Sequence, residues 1–258
     1  MDTKRTYYLF FDYDNTVRVN GAISDATVRA MKQAREAGHK LILCTGRARG
    51  SKIEELDGRI PWNGMIYGGC DIVYEGVCHE EKTVPDDEIA LWVEYSMKNH
   101  RFFIMEGQRE ILILRFDQHG EDYTEEEIAA EQARAIAQAK TNPITKFSIM
   151  GSDFATAVLP NTKMNPLAHP TYLEVFGQGC DKGVAIKRFC GVFGVSLDQC
   201  VCFGDSMNDY PMFLTCSIGI CMKWAPSKLA ERATYVAQTD EGVAEGLSWL
   251  LEGKETEK

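Results

Sequence analysis

Tyr7-Tyr8-Leu9-Phe10-Phe11-Asp12-Tyr13-Asp14-Asn15-Thr16 is the stretch whose reading decides the fold. Five consecutive aromatic or apolar residues run directly into two carboxylates one residue apart. A short apolar run rich in β-formers is the signature of a strand buried on both faces. Such strands belong to parallel sheets, which bind their ligands at the carboxyl ends of the strands. Asp12 falls at that end, and Asp14 follows on the loop, near enough to share one site. Two carboxylates so close repel unless a cation or a proton intervenes. The pair therefore suggests a divalent metal, an acid and a base, or both, although an Asp-x-Asp alone also suits a solvated turn.

Outward from this stretch the pattern is a βαβ unit. Ser24 is placed to cap a helix through Ala37, Gly38 to stop it, and Val28, Met31 and Ala34 recur at helical spacing. Lys40 to Cys44 is a second buried strand that ends in Thr45-Gly46-Arg47, so the sheet is parallel. Gly64 to Tyr67 predicts a third strand closing in Gly68-Gly69, and Asp71 to Glu80 a hairpin turning at Glu75-Gly76. After Val84-Pro85 the pattern changes. A helix capped by Asp86 or Asp87, strands at 102–105 and 111–116, a helix at 124–139, and strands at 146–150 and 172–176 read as an α+β module over 83–178. The first pattern resumes at Cys180-Asp181-Lys182-Gly183. A helix follows, then a strand at 201–203 ending in Gly204-Asp205-Ser206-Met207-Asn208-Asp209. Strands at 218–221 and 235–237 and a helix at 242–251 close the pattern, and a frayed charged end is expected beyond Gly253.

Composition narrows the function. The chain has 258 residues and a formal net charge of -10, which argues against nucleic-acid and anionic-membrane partners. Nine cysteines, odd in number and lodged in apolar runs such as Cys200-Val201-Cys202-Phe203, read as free thiols of a reducing compartment. No apolar run approaches the ~18 residues of a membrane helix, and Lys4-Arg5 precede too short a run for a signal peptide. A cytoplasmic protein is expected. A small anionic substrate remains possible, since a local site can be positive inside an acidic chain, and a monomer or a small homo-oligomer is expected.

Polar groups stand at four strand ends or helix starts: Asp12 with Asp14, Thr45, Lys182, and Asp205 with Asn208 and Asp209. Carboxyl ends of parallel strands line one edge, so these groups can converge. Asp, Asp, Lys, Thr and a Mg²⁺ suit phosphoryl transfer, which needs a nucleophile, neutralised oxygens and an acid for the leaving group. A hard cation with carboxylate ligands suits Asp12 and Asp205.

The four motifs Asp12-Tyr13-Asp14-Asn15-Thr16, Thr45-Gly46-Arg47, Lys182-Gly183 and Gly204-Asp205-Ser206-Met207-Asn208-Asp209 resemble, in order and spacing, those of haloacid dehalogenase-superfamily phosphatases. The position of the middle module resembles the Cof-type subgroup with its α/β cap. The resemblance implies a Rossmann-like core at 1–82 and 179–258 and a cap at 83–178 that sets substrate specificity. It implies Asp12 as nucleophile, through an aspartyl-phosphate, and as a ligand of Mg²⁺. Asp14 would be general acid and base and a metal ligand through its carbonyl, and Lys182 the neutralising cation. Thr45, Gly46, Arg47 and Asn208 would hold phosphate. Asp205 would ligate the metal, with Asp209 in or around its shell. The chain departs from the family pattern in having Asn15 where glycine is common, Gly68-Gly69 where Asn-Gly is frequent, and Lys223-Trp224 where Gly-Asn often follows the strand after the fourth motif.

Bland readings stand beside these. Lys182 alone suits a solvated helix start, Thr45 a helix cap, Arg47 a surface ion pair, and Asp205 and Asp209 turn and cap positions. The histidines at 39, 79, 100, 119 and 169 lack metal spacing. Tyr172 and Glu174 could face substrate, with cap packing the simpler account of Tyr172. The expected activity is Mg²⁺-dependent hydrolysis of a small phosphate monoester: a sugar phosphate, a nucleotide-like phosphate or a phosphorylated cofactor. A phosphotransferase or mutase using the same aspartyl-phosphate is the alternative within catalysis, and a non-catalytic binding protein the alternative outside it.

Overall fold

The run at Tyr8–Phe11 forms strand β1, and its two faces go to different cores. Leu9 and Phe11 join one apolar cluster and Phe10 another, with all three fully buried. That two-sided burial is why the strand has no polar alternation. The computed structural model describes residues 5–53 and 58–252, so the charged tail beyond Gly253 lies outside the described residues. In chain order β1 is followed by α1 (Asp25–Glu36), β2 (Lys40–Thr45), β3 (Gly64–Tyr67), β4 (Asp71–Tyr74) and β5 (Val77–Glu80). Next come α2 (Asp86–Lys98), β6 (Phe102–Gly107), β7 (Ile111–Arg115), α3 (Glu125–Thr141), β8 (Ile144–Met150), β9 (Asn165–Ala168) and β10 (Tyr172–Phe176). The chain closes with α4 (Lys182–Phe193), β11 (Cys200–Gly204), α5 (Tyr210–Thr215), β12 (Ile218–Cys221), α6 (Ser227–Ala230), β13 (Tyr235–Val236) and α7 (Gly242–Leu251).

The chain divides into two compact units. The first spans 1–46, 53–80 and 181–258, and is an α/β, Rossmann-like unit. Its sheet has the order β13-β12-β11-β1-β2-β3-β4-β5 and is parallel except for the β3-β4-β5 edge. The chain leaves β1 toward β2 and later returns to β11 on the other side, which makes the end of β1 a topological switch point. Ser24 caps α1 by accepting from the Thr27 N–H, and Gly38, at φ +95°, ends the turn beyond it. Phe11 is level with Leu43 on one side and Phe203 on the other, so Asp12, Thr45 and Asp205 all emerge at one sheet edge.

The second unit spans 47–52 and 81–180, and takes in Arg47–Lys52, which the sequence reading left with the core. Its sheet has the order β7-β6-β8-β10-β9 with all pairs antiparallel. Phe103, Met105, Phe147, Ile149, Leu173 and Val175 pack in one core with Trp92 of α2 and Ile128 of α3. Thr124 and Glu127 form a capping box at the start of α3. One expectation is corrected here, and one strand lies where the sequence left the structure open. Pro85, not Asp86 or Asp87, is the N-cap of α2; both aspartates sit in its first turn, where the positive end of the helix dipole favours them. Strand β9 lies in the stretch between 150 and 172 for which the sequence predicted no element; it carries Pro166, which an edge strand tolerates.

A candidate active site at the carboxyl ends of β1 and β11

Asp12 is placed by β1, and its backbone N–H donates to the Phe203 carbonyl at 2.9 Å. Asp205 follows β11 directly, and Asp209 sits one turn on, where its Oδ2 accepts the backbone N–H groups of Asp205 at 2.9 Å and Ser206 at 3.1 Å. That hairpin-like return brings the Asp209 side chain against Gly204: a Cβ there would stand 2.7 Å from the carboxylate. Lys182 opens α4, capped by Asp181 through the Val184 N–H. The next residue, Gly183, faces the Pro211 carbonyl, which a Cβ would meet at 2.4 Å. Helices α4 and α5 thereby pack closely enough for Lys182 to reach inward.

These residues meet. The Lys182 Nζ donates to Asp12 Oδ1 at 2.5 Å and to Asp209 Oδ1 at 2.5 Å. All four charged groups are buried, with Asp209 fully enclosed. Oxygen atoms of Asp12, Asp205 and Asp209 lie within 4.8 Å of one another. Asp205 also accepts from the Thr16 hydroxyl at 3.0 Å. Three carboxylates face one ammonium, and the imbalance shows in their acidity. Burial pushes the Asp12 carboxyl well above the carboxylate range, against the pull of Lys182 and with Asp209 and Asp205 adding to the rise. Burial and Asp209 push Asp205 up to about 6, although the Thr16 hydroxyl and Lys182 work the other way. Burial alone would discharge Lys182, but Asp12 and Asp209 hold its ammonium charged, above the usual lysine range. Two bare carboxylates held within 4.8 Å of each other, as those of Asp12 and Asp205 are, repel unless a proton or a cation lies between them. An oxygen-only, charge-deficient donor set of this kind fits a hard divalent cation such as Mg²⁺.

The remaining sequence candidates take distinct places. Asp14 stands outside the carboxylate cluster on the loop after β1, half-exposed, 3.8 Å from Arg18. Thr45 is buried at the end of β2, and its carbonyl accepts from the Gly68 N–H at 2.8 Å. Gly46 follows, and Asn208 is its neighbour: a Cβ on Gly46 would be 3.7 Å from the Asn208 amide nitrogen. Asn208 Oδ1 accepts from the Ser206 hydroxyl at 2.7 Å, which fixes the amide. Arg47 belongs to the second unit and is half-buried. Sequence reasoning assigned no role to Thr16, Ser206 or Trp224. Thr16 lay within the quoted motif, but its hydroxyl acquires a partner only through the β1–β11 register.

A second charged cluster lies in the second unit. Lys146 of β8 is ion-paired with Glu174 of β10 and lies 3.6 Å from Glu106 of β6. Ser148 donates to Glu106 at 2.6 Å, and His169 stands 3.3 Å from Glu174 and stacks on Tyr172. Burial works to raise Glu174, but Lys146 and His169 overcome it and hold the carboxyl at about 2. Lys146 stays charged because Glu106 and Glu174 more than offset its burial.

Comparison with known proteins agrees with the fold. A haloalkanoate dehalogenase-superfamily phosphatase from Bacteroides thetaiotaomicron superposes with a TM-score of 0.77 at 20% identity, covering 96% of either chain. A sugar phosphatase of subclass IIB of the same superfamily superposes at 0.75 and 19% identity, covering 95% of this chain and 99% of that one. In sequence, the chain is 28% identical over 113 residues to the 5-amino-6-(5-phospho-D-ribitylamino)uracil phosphatase YcsE of Bacillus subtilis. That match covers 41% of this chain and spans less than half, 45%, of the relative. The sequence profile of the haloacid dehalogenase-like hydrolases matches residues 9–247, nearly the whole chain, and the chain belongs to that family.

Proposed function

We propose that the protein is a Mg²⁺-dependent phosphatase that hydrolyses a small phosphate monoester through an aspartyl-phosphate on Asp12. The observation that carries this reading is the buried Asp12–Lys182–Asp209 bridge with Asp205 beside it, a negative cluster at the switch point of a parallel sheet. Asp12 and Asp205 would ligate the metal, together with the Asp14 carbonyl. The metal would supply charge neutralisation at the phosphoryl oxygens.

The chain's own groups would divide the remaining work. Lys182 holds Asp12 Oδ1 and so orients the carboxylate for attack on phosphorus. As the Asp12–phosphorus bond forms, the bond to the leaving oxygen breaks, and the Asp14 carboxyl gives its proton to that oxygen. Asp14 then takes a proton from water, whose oxygen attacks the same phosphorus; phosphate leaves and the Asp12 carboxylate is restored. Thr45, the Gly46 backbone, Asn208 and Arg47 would hold the phosphoryl oxygens. Asp209, whose two oxygens are engaged by Lys182 and two backbone N–H groups, would position the lysine and the Asp205 turn. The second unit, expected over 83–178, would act as the cap that selects the leaving group.

The first compounds to test are sugar phosphates and a phospho-ribityl compound, because relatives bear those names. Purified protein with Mg²⁺ and a panel of phosphate monoesters should release inorganic phosphate from a subset of them. No release from any member, nor from p-nitrophenyl phosphate, would favour a binding protein. Transfer of the phosphoryl group to an added polyol in place of water would favour a phosphotransferase.

A further inference from the structure

Two departures from the family pattern, far apart in sequence, touch in the folded chain. The indole N–H of Trp224 donates to the carbonyl of Asn15 at 3.0 Å. Asn15 is left-handed, at φ +58°, a conformation that glycine adopts freely and asparagine less so. Its amide N–H donates to the Arg18 carbonyl at 2.8 Å, and the Arg18 N–H donates back to Tyr13 at 2.8 Å. Asn15 is thus fixed at both its N–H and its carbonyl, and the residue just before it is Asp14. Trp224 is itself anchored: the Ala225 N–H donates to Met222 at 3.0 Å, the Met222 N–H donates to Gly204 at 3.0 Å, and the indole packs on the core. The segment just after β12, bonded to the end of β11, therefore holds the loop at the end of β1.

We propose that Trp224 is a positioning residue for the proton transfer assigned to Asp14. Its indole N–H locks the left-handed turn at Asn15 and so fixes the bearing of the Asp14 carboxyl, in place of the glycine and asparagine that the family pattern has at these two positions. The role rests on the phosphatase reading above. It predicts an effect graded by leaving group, because an activated aryl phosphate needs little protonation and an alkyl phosphate needs it fully.

The test uses the full chain with Mg²⁺, the parent and Trp224→Phe, with p-nitrophenyl phosphate and the best alkyl phosphate of the panel. Phenylalanine keeps an aromatic ring against the core and removes the donor, at the cost of some packing area that would weigh on both substrates alike. The expected loss in kcat on the alkyl phosphate is about tenfold, with KM within about twofold, and the aryl phosphate should lose less than about threefold. In an Asp14→Asn background the same substitution should change alkyl turnover by less than about twofold, since the two residues act through one step. Equal losses on both leaving groups, or full additivity with Asp14→Asn, would overturn the role. A measurement on the unaltered protein needs no variant to fold: the Trp224 indole N–H should exchange slowly with D₂O, and free exchange would remove the bond on which the role depends. A parent inactive on both phosphates overturns the phosphatase reading and this role together. A parent active on both, with an indifferent Trp224→Phe, overturns this role alone.

Discussion

Each unit of the molecule buries a lysine between two carboxylates, and the two clusters differ in kind. In the second unit Lys146 lies between Glu174 and Glu106, while Ser148 donates to the Glu106 oxygen that faces the lysine and His169 stands by the second oxygen of Glu174. Its excess of negative charge is the smaller, one lysine against two glutamates, and Glu174 is more acidic than a free glutamate, at about 2. In the first unit Lys182 lies between Asp12 and Asp209, but Asp205 makes a third carboxylate, and Asp12 and Asp205 are both less acidic than free aspartates. A buried network closer to neutrality sustains itself, whereas one further short of positive charge gains from whatever supplies it. Composition alone does not separate a structural ion network from a candidate site; the sign of the acidity shifts does.

The comparison can be broken most severely at Asp12. Asp12→Asn should lower phosphatase kcat by roughly 10⁴-fold or more, since an amide is a poor nucleophile. Rapidly quenched protein should show no phosphoryl adduct by mass spectrometry. Substantial turnover by this variant would remove the nucleophile from the reading.

The second test asks for opposite signs. With Mg²⁺ chelated, Asp205→Asn should leave stability unchanged or raise it by about 1 kcal/mol, because a repelling charge is lost. Glu174→Gln should lower stability by about 2 kcal/mol, because Lys146 is left with the more distant Glu106. Hydrogen exchange read separately in the two units is the measurement, as a two-unit chain need not unfold in one step. The same sign for both variants would mean that the clusters do not differ as described.

Acidity gives the third. A carboxyl raised in the folded state keeps its proton there longer than in the unfolded state, so folding stability falls as pH rises between the two values. For metal-free Asp205 that window runs from 3.8 to about 6, and Asp12 acts in the same direction. Glu174 is lowered, so its contribution is present above 4.5 and is lost as pH falls toward about 2. Protection in the first unit should therefore weaken from pH 4 to 7 without Mg²⁺ and flatten when it is added. Over the range from pH 5 down to 2, the second unit should be the one that loosens. A first unit whose pH response ignored Mg²⁺ would count against a cation in the cluster.

The smallest expected effect is that of Thr16→Val, which deletes the hydroxyl bonded to Asp205. Stability should fall by about 1 kcal/mol, and Mg²⁺ affinity by roughly tenfold, the usual cost of removing a group that orients a ligand. Isothermal titration with Mg²⁺ would show it, and unchanged affinity would take Thr16 out of the ligand-orienting role.

Much of the first unit was legible because its determinants are local. The unbroken Tyr7–Phe11 run foretold a strand with two buried faces, and Ser24 and Gly38 bracketed α1. The gathering of Asp12, Thr45, Lys182 and Asp205 at one edge followed from parallel topology, which places every strand's carboxyl end alike. What remained hidden depends on register between distant strands. Nothing in the sequence says that Glu106 pairs across from Lys146, or that the Thr16 hydroxyl reaches Asp205. Strand β9 went unpredicted, and it carries Pro166, whose missing N–H is harmless only at an edge. Trp224 read as a departure from pattern because its partner lies 209 residues away.

The two glycines beside the charged groups carry a consequence that is steric rather than electrostatic. Gly204 leaves no room between β11 and Asp209, and Gly183 none between α4 and the Pro211 carbonyl. One methyl group at either place would push the Asp205 turn or the base of Lys182 outward while every ionisable residue stayed as it is. The loss would escape any inspection limited to the ionisable side chains, since a chain can keep its whole set of carboxylates and its lysine and still have them out of reach of one another.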